Sequence, residues 1–178
     1  LTGKKINWGG SQARTEATGY GTVYFAEHML NTRGESIKNK NVVISGSGNV
    51  AQYACKKVIE LGGKVITLSD SSGYIYDQNG IDLEKLDFIL QLKNVRRGRI
   101  KEYADKFNCS FHEGKPWQVP CDVALPCATQ NEINQSDAEQ LVKNGCFCVS
   151  EGANMPCDAD AISIFKMAKI FHAPGKAS

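Results

Sequence analysis

The residues best suited to chemistry lie in one short run, Gly46-Ser47-Gly48-Asn49-Val50-Ala51. Two glycines and a small residue at this spacing, set between a strand and a helix, suit the gripping of two linked phosphates. Gly46 permits a sharp turn, Gly48 removes a side chain where a pyrophosphate must approach the backbone, and Ala51 lets the helix pack close on the strand. A helix starting at Asn49 offers unpaired N–H groups and the positive end of its dipole. A ligand-free structural turn has the same letters, and only the strand–turn–helix setting favours a nucleotide. Asp70 stands 24 residues after Gly46, near the spacing at which a carboxylate binds the adenosine ribose hydroxyls of NAD. A phosphate on that ribose, as in NADP, is repelled by an acid and needs cations and hydroxyls. Ser71 and Ser72 supply hydroxyls, and Lys93, Arg96, Arg97 and Arg99 fall within seven residues. The same cluster also reads as a solvated helix end, so the residues alone leave NADP and NAD both open.

The elements that must position these groups follow from periodicity. Val42-Val43-Ile44 reads as a buried strand, and small or apolar residues from Val50 to Leu61 recur at helical spacing until Gly62-Gly63 stops them. Lys64 to Ser69 is the next strand, which completes a βαβ unit of about thirty residues. Upstream, Thr15 to Asn31 reads as a helix with Ala17, Tyr20, Tyr24 and Leu30 available for its inner face. Downstream, Asp82 caps a helix through Leu90, a second helical stretch holds Ile100 to Phe107, and Asp158 to Ala168 forms the last helix. Ser136-Asp137-Ala138-Glu139 has the spacing of a capping box. Short apolar runs at Cys109-Ser110-Phe111, Val123-Ala124-Leu125, Phe147-Cys148-Val149 and Ile170-Phe171 complete the strands. This alternation predicts an α/β fold: a doubly wound, mostly parallel sheet of the Rossmann type, covered on both faces.

Composition narrows the function classes. With 178 residues and 42% hydrophobic content, the chain is expected to form a single dinucleotide-binding domain, 1–178. A net charge of +2 gives no argument for nucleic acid, and no apolar run reaches bilayer length. The seven cysteines form no C-x-x-C pair, and His28, His112 and His172 stand at no metal-ligand spacing to them. Buried reduced thiols in a cytoplasmic setting, without a metal, are the expectation. The opening at Leu1 and the ending in Gly175-Lys176-Ala177-Ser178 suggest a chain truncated at both ends.

Several blocks carry a family resemblance. Gly9-Gly10-Ser11, Arg14 and Glu16-Ala17-Thr18-Gly19-Tyr20-Gly21 precede the glycine loop. Ser69-Asp70-Ser71-Ser72-Gly73, Leu125-Pro126-Cys127-Ala128-Thr129-Gln130-Asn131, Glu151-Gly152-Ala153-Asn154-Met155-Pro156 and Ala173-Pro174-Gly175-Lys176-Ala177 follow it. In order and spacing they closely resemble hexameric glutamate dehydrogenases of the NADP-using type. The resemblance implies reversible oxidative deamination of glutamate to 2-oxoglutarate and ammonium, within a parent homohexamer. It implies cofactor contacts at Thr18, Gly46, Ser47, Gly48, Asn49 and Val50. Ser71, Lys93, Arg96 and Arg99 would surround the 2′-phosphate, although Asp70 is an awkward neighbour for it. Ala128 and Thr129 would form a backbone floor by the nicotinamide ribose, Asn154 would reach the nicotinamide, and Arg14 would hold a substrate carboxylate. The family's catalytic lysine and aspartate belong to an N-terminal domain that these residues do not contain. The expectation is a fragment with no catalytic residue of its own, binding nucleotide without turnover. Alternatives are an NAD-linked glutamate or other amino-acid dehydrogenase domain, or a stand-alone nucleotide-binding module.

Overall fold

The computed structural model describes residues 14–176, and side chains from 16 onward. The chain runs α1 (Arg14–Asn31), β1 (Asn41–Ser45), α2 (Asn49–Glu60), β2 (Lys64–Asp70), β3 (Gly73–Tyr76) and α3 (Leu83–Leu90). It continues through α4 (Lys101–Phe107), β4 (Ser110–His112), β5 (Val123–Pro126), α5 (Gln135–Lys143), β6 (Cys148–Ser150), α6 (Ala159–Met167) and β7 (Phe171–Ala173). The strands form one seven-stranded sheet in the order β4-β3-β2-β1-β5-β6-β7. β1 pairs in parallel with both β2 and β5, and β6 and β7 extend the parallel side. The order therefore reverses between β1 and β5, the topological switch where such sheets bind ligands.

Side-chain alternation along the strands builds a core on each face. Val42, Ile44 and Leu68 pack with Val23, Ala26, Leu30, Ala54, Val58 and Ile89 beneath α1, α2 and α3. Val43, Ile66, Ala124 and Val149 face the other way, onto Trp117, Leu141, Ala161 and Phe165. Such burial of strands on both sides is what their nearly all-apolar letters require. No helix among the described residues is long and apolar enough to cross a membrane.

Four local details differ from the sequence expectation. The inner face of α1 is set by Gly19, Thr22, Val23, Ala26 and Leu30, whereas Ala17 and Tyr24 are exposed. Its polar Thr22 goes inward because its hydroxyl donates to the Thr18 carbonyl at 2.8 Å. β3 is an additional strand, antiparallel to β2 and β4. Its turn, Ser71-Ser72, lacks the Asn-Gly or Asp-Gly letters that mark a tight hairpin. The capping box at α5 sits two residues earlier than expected: Asn134 accepts from the Asp137 N–H, and Asp137 accepts from the Asn134 N–H. Asn is as good an N-cap as Ser. Finally α3 runs directly into a π-helical turn, Gln91–Val95.

Gly19 is where α1 and α2 meet most closely. A Cβ there would lie 2.7 Å from both the Tyr53 Cβ and the Val50 carbonyl oxygen. Gly19→Ala is therefore expected to lose about 1–2 kcal/mol in urea unfolding, overpacking outweighing alanine's better helix propensity. A gain in stability would show that the helices do not cross this closely.

Candidate functional site

A cavity of about 360 Å³ opens at the carboxyl ends of β1, β2 and β5, lined among others by Gly46, Gly48, Asp70, Ser71, Ala128 and Thr129. Gly46 makes its first wall, with φ at +86°. Its N–H donates to the Ser69 hydroxyl at 2.7 Å, and the Ser69 N–H donates to its carbonyl at 3.0 Å. A Cβ on Gly46 would stand 2.9 Å from the Cys127 carbonyl oxygen. The fold itself thus demands glycine here. Gly48 is different. Its φ is −82°, and a Cβ would meet nothing within 4 Å. Within the protein a side chain fits there, so any pressure for a bare backbone comes from a ligand. Gly48 is also the N-cap of α2 and supplies no side-chain cap, which leaves the helix terminus open to an anion.

Two amides, buried Gln52 and exposed Asn94, brace this loop from behind. Gln52 donates to the Ser47 carbonyl at 2.7 Å, and it exchanges two hydrogen bonds of 3.2 Å with Asn94. Asn94 lies in the π turn beside Lys93, so the phosphate loop and the basic segment are coupled. Sequence reasoning missed Gln52, Asn94 and Ser69: Gln52 and Ser69 carry no signal apart from polarity at buried helical or strand positions, and exposed Asn94 carries none.

At the end of β2 the structure gathers Asp70, Ser71, Ser72, Lys93 and Arg99. One Asp70 oxygen accepts from the Ser72 N–H and hydroxyl. The other accepts from Lys93 Nζ and the Ile100 N–H, both at 2.7 Å. A carboxylate offers about four acceptor positions, and all four are filled. Asp70 is therefore not available as the ribose acceptor that its spacing suggested. Burial raises its pKa, but bonds from Lys93, Ser72 and Ile100 outweigh that and hold it at about 2. Lys93 uses two of its three donors, on Asp70 and the Gly98 carbonyl at 3.0 Å, and keeps one. Arg99 donates to the Ser71 hydroxyl at 2.7 Å. Arg96 does not join them. Its guanidinium stands over the Phe88 ring and 3.8 Å from Glu102.

The opposite wall follows β5. The Cys127 N–H donates to the Ser45 hydroxyl at 3.0 Å. Ala128 and Thr129 are exposed to the cleft, yet their N–H groups point inward to Glu132, at 3.0 and 2.8 Å. Glu132 itself is buried, which raises its pKa against the hydrogen bonds that lower it. Asn154 is exposed on the loop after β6, which is tied down by Gly152 and Ala153 N–H groups donating to the Pro126 carbonyl. Thr18 lies on α1 one turn before Thr22, whose hydroxyl it accepts at its carbonyl, and is half-buried. Arg14 opens α1, but its side chain is outside the described residues.

Burial disfavours the reactive thiolate at several cysteines. Burial raises the pKa values of Cys55, Cys127, Cys148 and Cys157, and takes that of half-buried Cys109 to about 11. Cys157 does meet Glu151 and His172, a group that sequence spacing does not reveal. These side chains already engage one another: Glu151 bonds His172 at 2.9 Å and accepts from the Gly175 N–H at 2.8 Å.

A cleft at the switch point, bounded by a bare helix terminus, by Ser71 with its Arg99 partner and by the backbone after β5, is the layout of a dinucleotide site. A family model described as Glutamate/Leucine/Phenylalanine/Valine dehydrogenase matches residues 9–178. The chain belongs to this dehydrogenase family. It is 60% identical to the NAD(P)-specific glutamate dehydrogenase of Xylanibacter ruminicola and 53% identical to the NADP-specific glutamate dehydrogenase of Haemophilus influenzae. Each alignment covers 100% of this chain and 40% of the relative. The solved glutamate dehydrogenase of Plasmodium falciparum superposes with a TM-score of 0.92 at 47% identity, over 99% of this chain and 40% of that one. The chain thus spans about two fifths of the length of these family members.

Two outcomes test the site. Gly46→Ala should destabilise the fold by about 2 kcal/mol or more, through strain and overlap. Gly48→Ala should leave the unfolding midpoint nearly unchanged while weakening nucleotide binding at least tenfold. Similar effects of the two substitutions on both readouts would remove the distinction. The depressed Asp70 pKa stabilises the fold above the unfolded carboxyl's range near pH 4, and this is lost as pH falls toward about 2. Asp70→Asn should therefore unfold more easily at pH 7 and lose less stability than the parent between pH 4 and 2.

Proposed function

We propose that this chain is the coenzyme-binding domain of an NADP-linked glutamate dehydrogenase, interconverting L-glutamate with 2-oxoglutarate and ammonium. The observation that carries the coenzyme assignment is the state of Asp70. Paired with Lys93 and saturated by donors, it contributes no net repulsion to a phosphate and no acceptor to a free ribose hydroxyl. What remains beside Ser71 is the Arg99 guanidinium and one Lys93 N–H, a charge-assisted pair suited to a 2′-phosphate. The name of the Haemophilus influenzae relative, NADP-specific, supports the same reading, and that of the Xylanibacter ruminicola relative, NAD(P)-specific, includes NADP.

The residues fit the rest of the coenzyme. The α2 terminus at Gly48-Asn49 would hold the pyrophosphate, and Ala128, Thr129 and Asn154 would flank the nicotinamide end. Bound there, the nicotinamide supplies hydride transfer. This chain's groups orient it, but substrate must also be held at near-attack distance. Arg14 is the residue we assign to a substrate carboxylate. The remaining groups belong to the part of the enzyme outside these residues, so these residues alone bind nucleotide without turnover. A homohexameric parent in the cytoplasm belongs to this proposal, supported by the family resemblance and by the free cysteines.

Fluorescence titration of the chain is expected to give tighter binding of NADPH than NADH. Lys93→Ala with Arg99→Ala should weaken NADPH at least tenfold more than NADH, because it removes both cations and uncovers the Asp70 charge. Arg96→Ala should change either affinity less than twofold. Equal affinities for the two coenzymes in the parent chain would overturn the assignment to NADP.

A further inference from the structure

Among the described residues, Glu151, Cys157 and His172 bring a carboxylate oxygen, a sulfur and a ring nitrogen within 4.8 Å of one another. They come from three segments: the residue after β6, the loop before α6 and the middle of β7. β6 and β7 pair in parallel, Val149 beside His172 and Ser150 beside Ala173, which sets Glu151 and His172 on neighbouring strand ends. Sulfur, nitrogen and oxygen together make the donor mix of a zinc-type cation, whereas magnesium and calcium take oxygens.

The three side chains are already oriented. His172 Nε2 stands 2.9 Å from one Glu151 oxygen, and the other oxygen accepts from the Gly175 N–H at 2.8 Å. The His172 ring packs beside Phe165, with centroids 5.8 Å apart. A backbone N–H that steadies a ligating carboxylate raises metal affinity by fixing its direction. Burial raises the Glu151 pKa, but hydrogen bonds from His172, Gly175 and Cys157 outweigh it and leave the carboxyl lowered and charged. Tetrahedral ligands about 2.0–2.3 Å from zinc stand roughly 3.3–3.8 Å apart, so side-chain shifts of about 1 Å complete the set.

Charge and access favour the same ion. One thiolate, one carboxylate and a neutral imidazole cancel a 2+ cation. A neutral whole suits this position, because Glu151 and Cys157 are each 3% exposed and an uncompensated charge there is costly. A cavity of about 220 Å³ reaches Glu151 and Cys157 between Met155, Ile162, Pro174 and exposed Lys176. It supplies an entry path and room for a water.

We propose that Glu151, Cys157 and His172 form a site for one zinc-type divalent cation, with a water from this cavity as fourth ligand. On binding, the Cys157 S–H bond breaks and its proton goes to solvent. Sulfur, a Glu151 oxygen and the His172 Nε2 lone pair then bond the cation, the ring proton resting on Nδ1. Nothing is oxidised or reduced. Glu151 and Cys157 bracket the loop 152–156, which carries Asn154, so the cation ties both ends of that loop to β7. The site shares no lining residue with the nucleotide cleft, and it does not depend on the coenzyme reading.

The test is a titration of the 178-residue chain, stripped by a chelator and kept reduced, with Co(II) and then Zn(II). One Co(II) per chain is expected, with a sulfur-to-cobalt charge-transfer band and the intense visible bands of tetrahedral cobalt. One equivalent of Zn(II) should bleach both, and excess Mg(II) should leave them unchanged. Cys157→Ser should abolish the charge-transfer band, and Cys157→Ser and His172→Gln should each weaken Zn(II) about a hundredfold. Cys109→Ser, at a half-buried thiol elsewhere, should change the affinity less than about twofold. A parent chain without the charge-transfer band would overturn the site before any variant is made. Persistence of the band in Cys157→Ser would overturn it equally.

Discussion

The structure depends on a backbone turn at Gly46 into which no side chain can be placed. The turn joins the ends of three strands. Its N–H and carbonyl exchange hydrogen bonds with Ser69 at the end of β2, and its Cα faces the backbone after β5. Neighbouring Ser45 receives the Cys127 N–H. The sheet's switch point is thereby closed by short polar contacts between serines and backbone, and the switch point is where the cleft opens. Leaving a buried polar group unpaired costs on the order of 1–3 kcal/mol. The contacts that stabilise the strand ends are the same ones that fix the wall of the site.

Charge is organised with equal economy. An aspartate at the end of β2 is usually the ribose acceptor of a dinucleotide fold. Here it is turned into an anchor for the segment that carries the cations. Lys93 reaches it from the π turn, and the Ile100 N–H reaches it from the start of α4. A π turn inserts extra residues into a helical run and re-aims the side chains after it. Its presence here sets Lys93 against Asp70 and Asn94 against Gln52 at once. The acid that looks hostile to a 2′-phosphate is the group that holds the phosphate's expected partners in place.

This distinction shows what the letters of the chain carry and what they do not. The βαβ unit, the loop and the two-faced sheet were legible because each rests on local regularities: alternation, helical spacing and glycines at a strand end. β3 was not, since its pairing is made by partners up to 38 residues away and its turn has no glycine at the tip. The spacing of Asp70 correctly located the carboxylate but not the direction of its oxygens, which depends on Ile100, thirty residues on. Arg96 and Arg99 are indistinguishable as letters. Phe88 and Glu102 claim the first, and Ser71 the second, only once α3 and α4 are folded. Glu132 reads as an ordinary turn acid until its burial is known. Long-range polar contacts, unlike apolar periodicity, leave no repeating mark in a sequence.

The same reasoning explains why glycines gather around the first turn of α2 beyond the loop itself. Gly19 of α1 and Gly152 after β6 would each, with a Cβ, press on Val50, at its carbonyl oxygen and side chain respectively. Gly152 would also meet Thr22 and Cys127. The first turn of α2 is therefore packed closely at Val50 against α1 and the segments after β5 and β6, while Gly48 and Asn49 stay exposed. Close packing behind a terminus reduces the free energy that binding must spend on fixing it. Loose packing at those glycines would leave the loop's letters unchanged and still degrade the site. The GxGxxA pattern is thus a sufficient label for this cleft but not a sufficient cause. The cause includes three more distant segments that let backbone meet backbone.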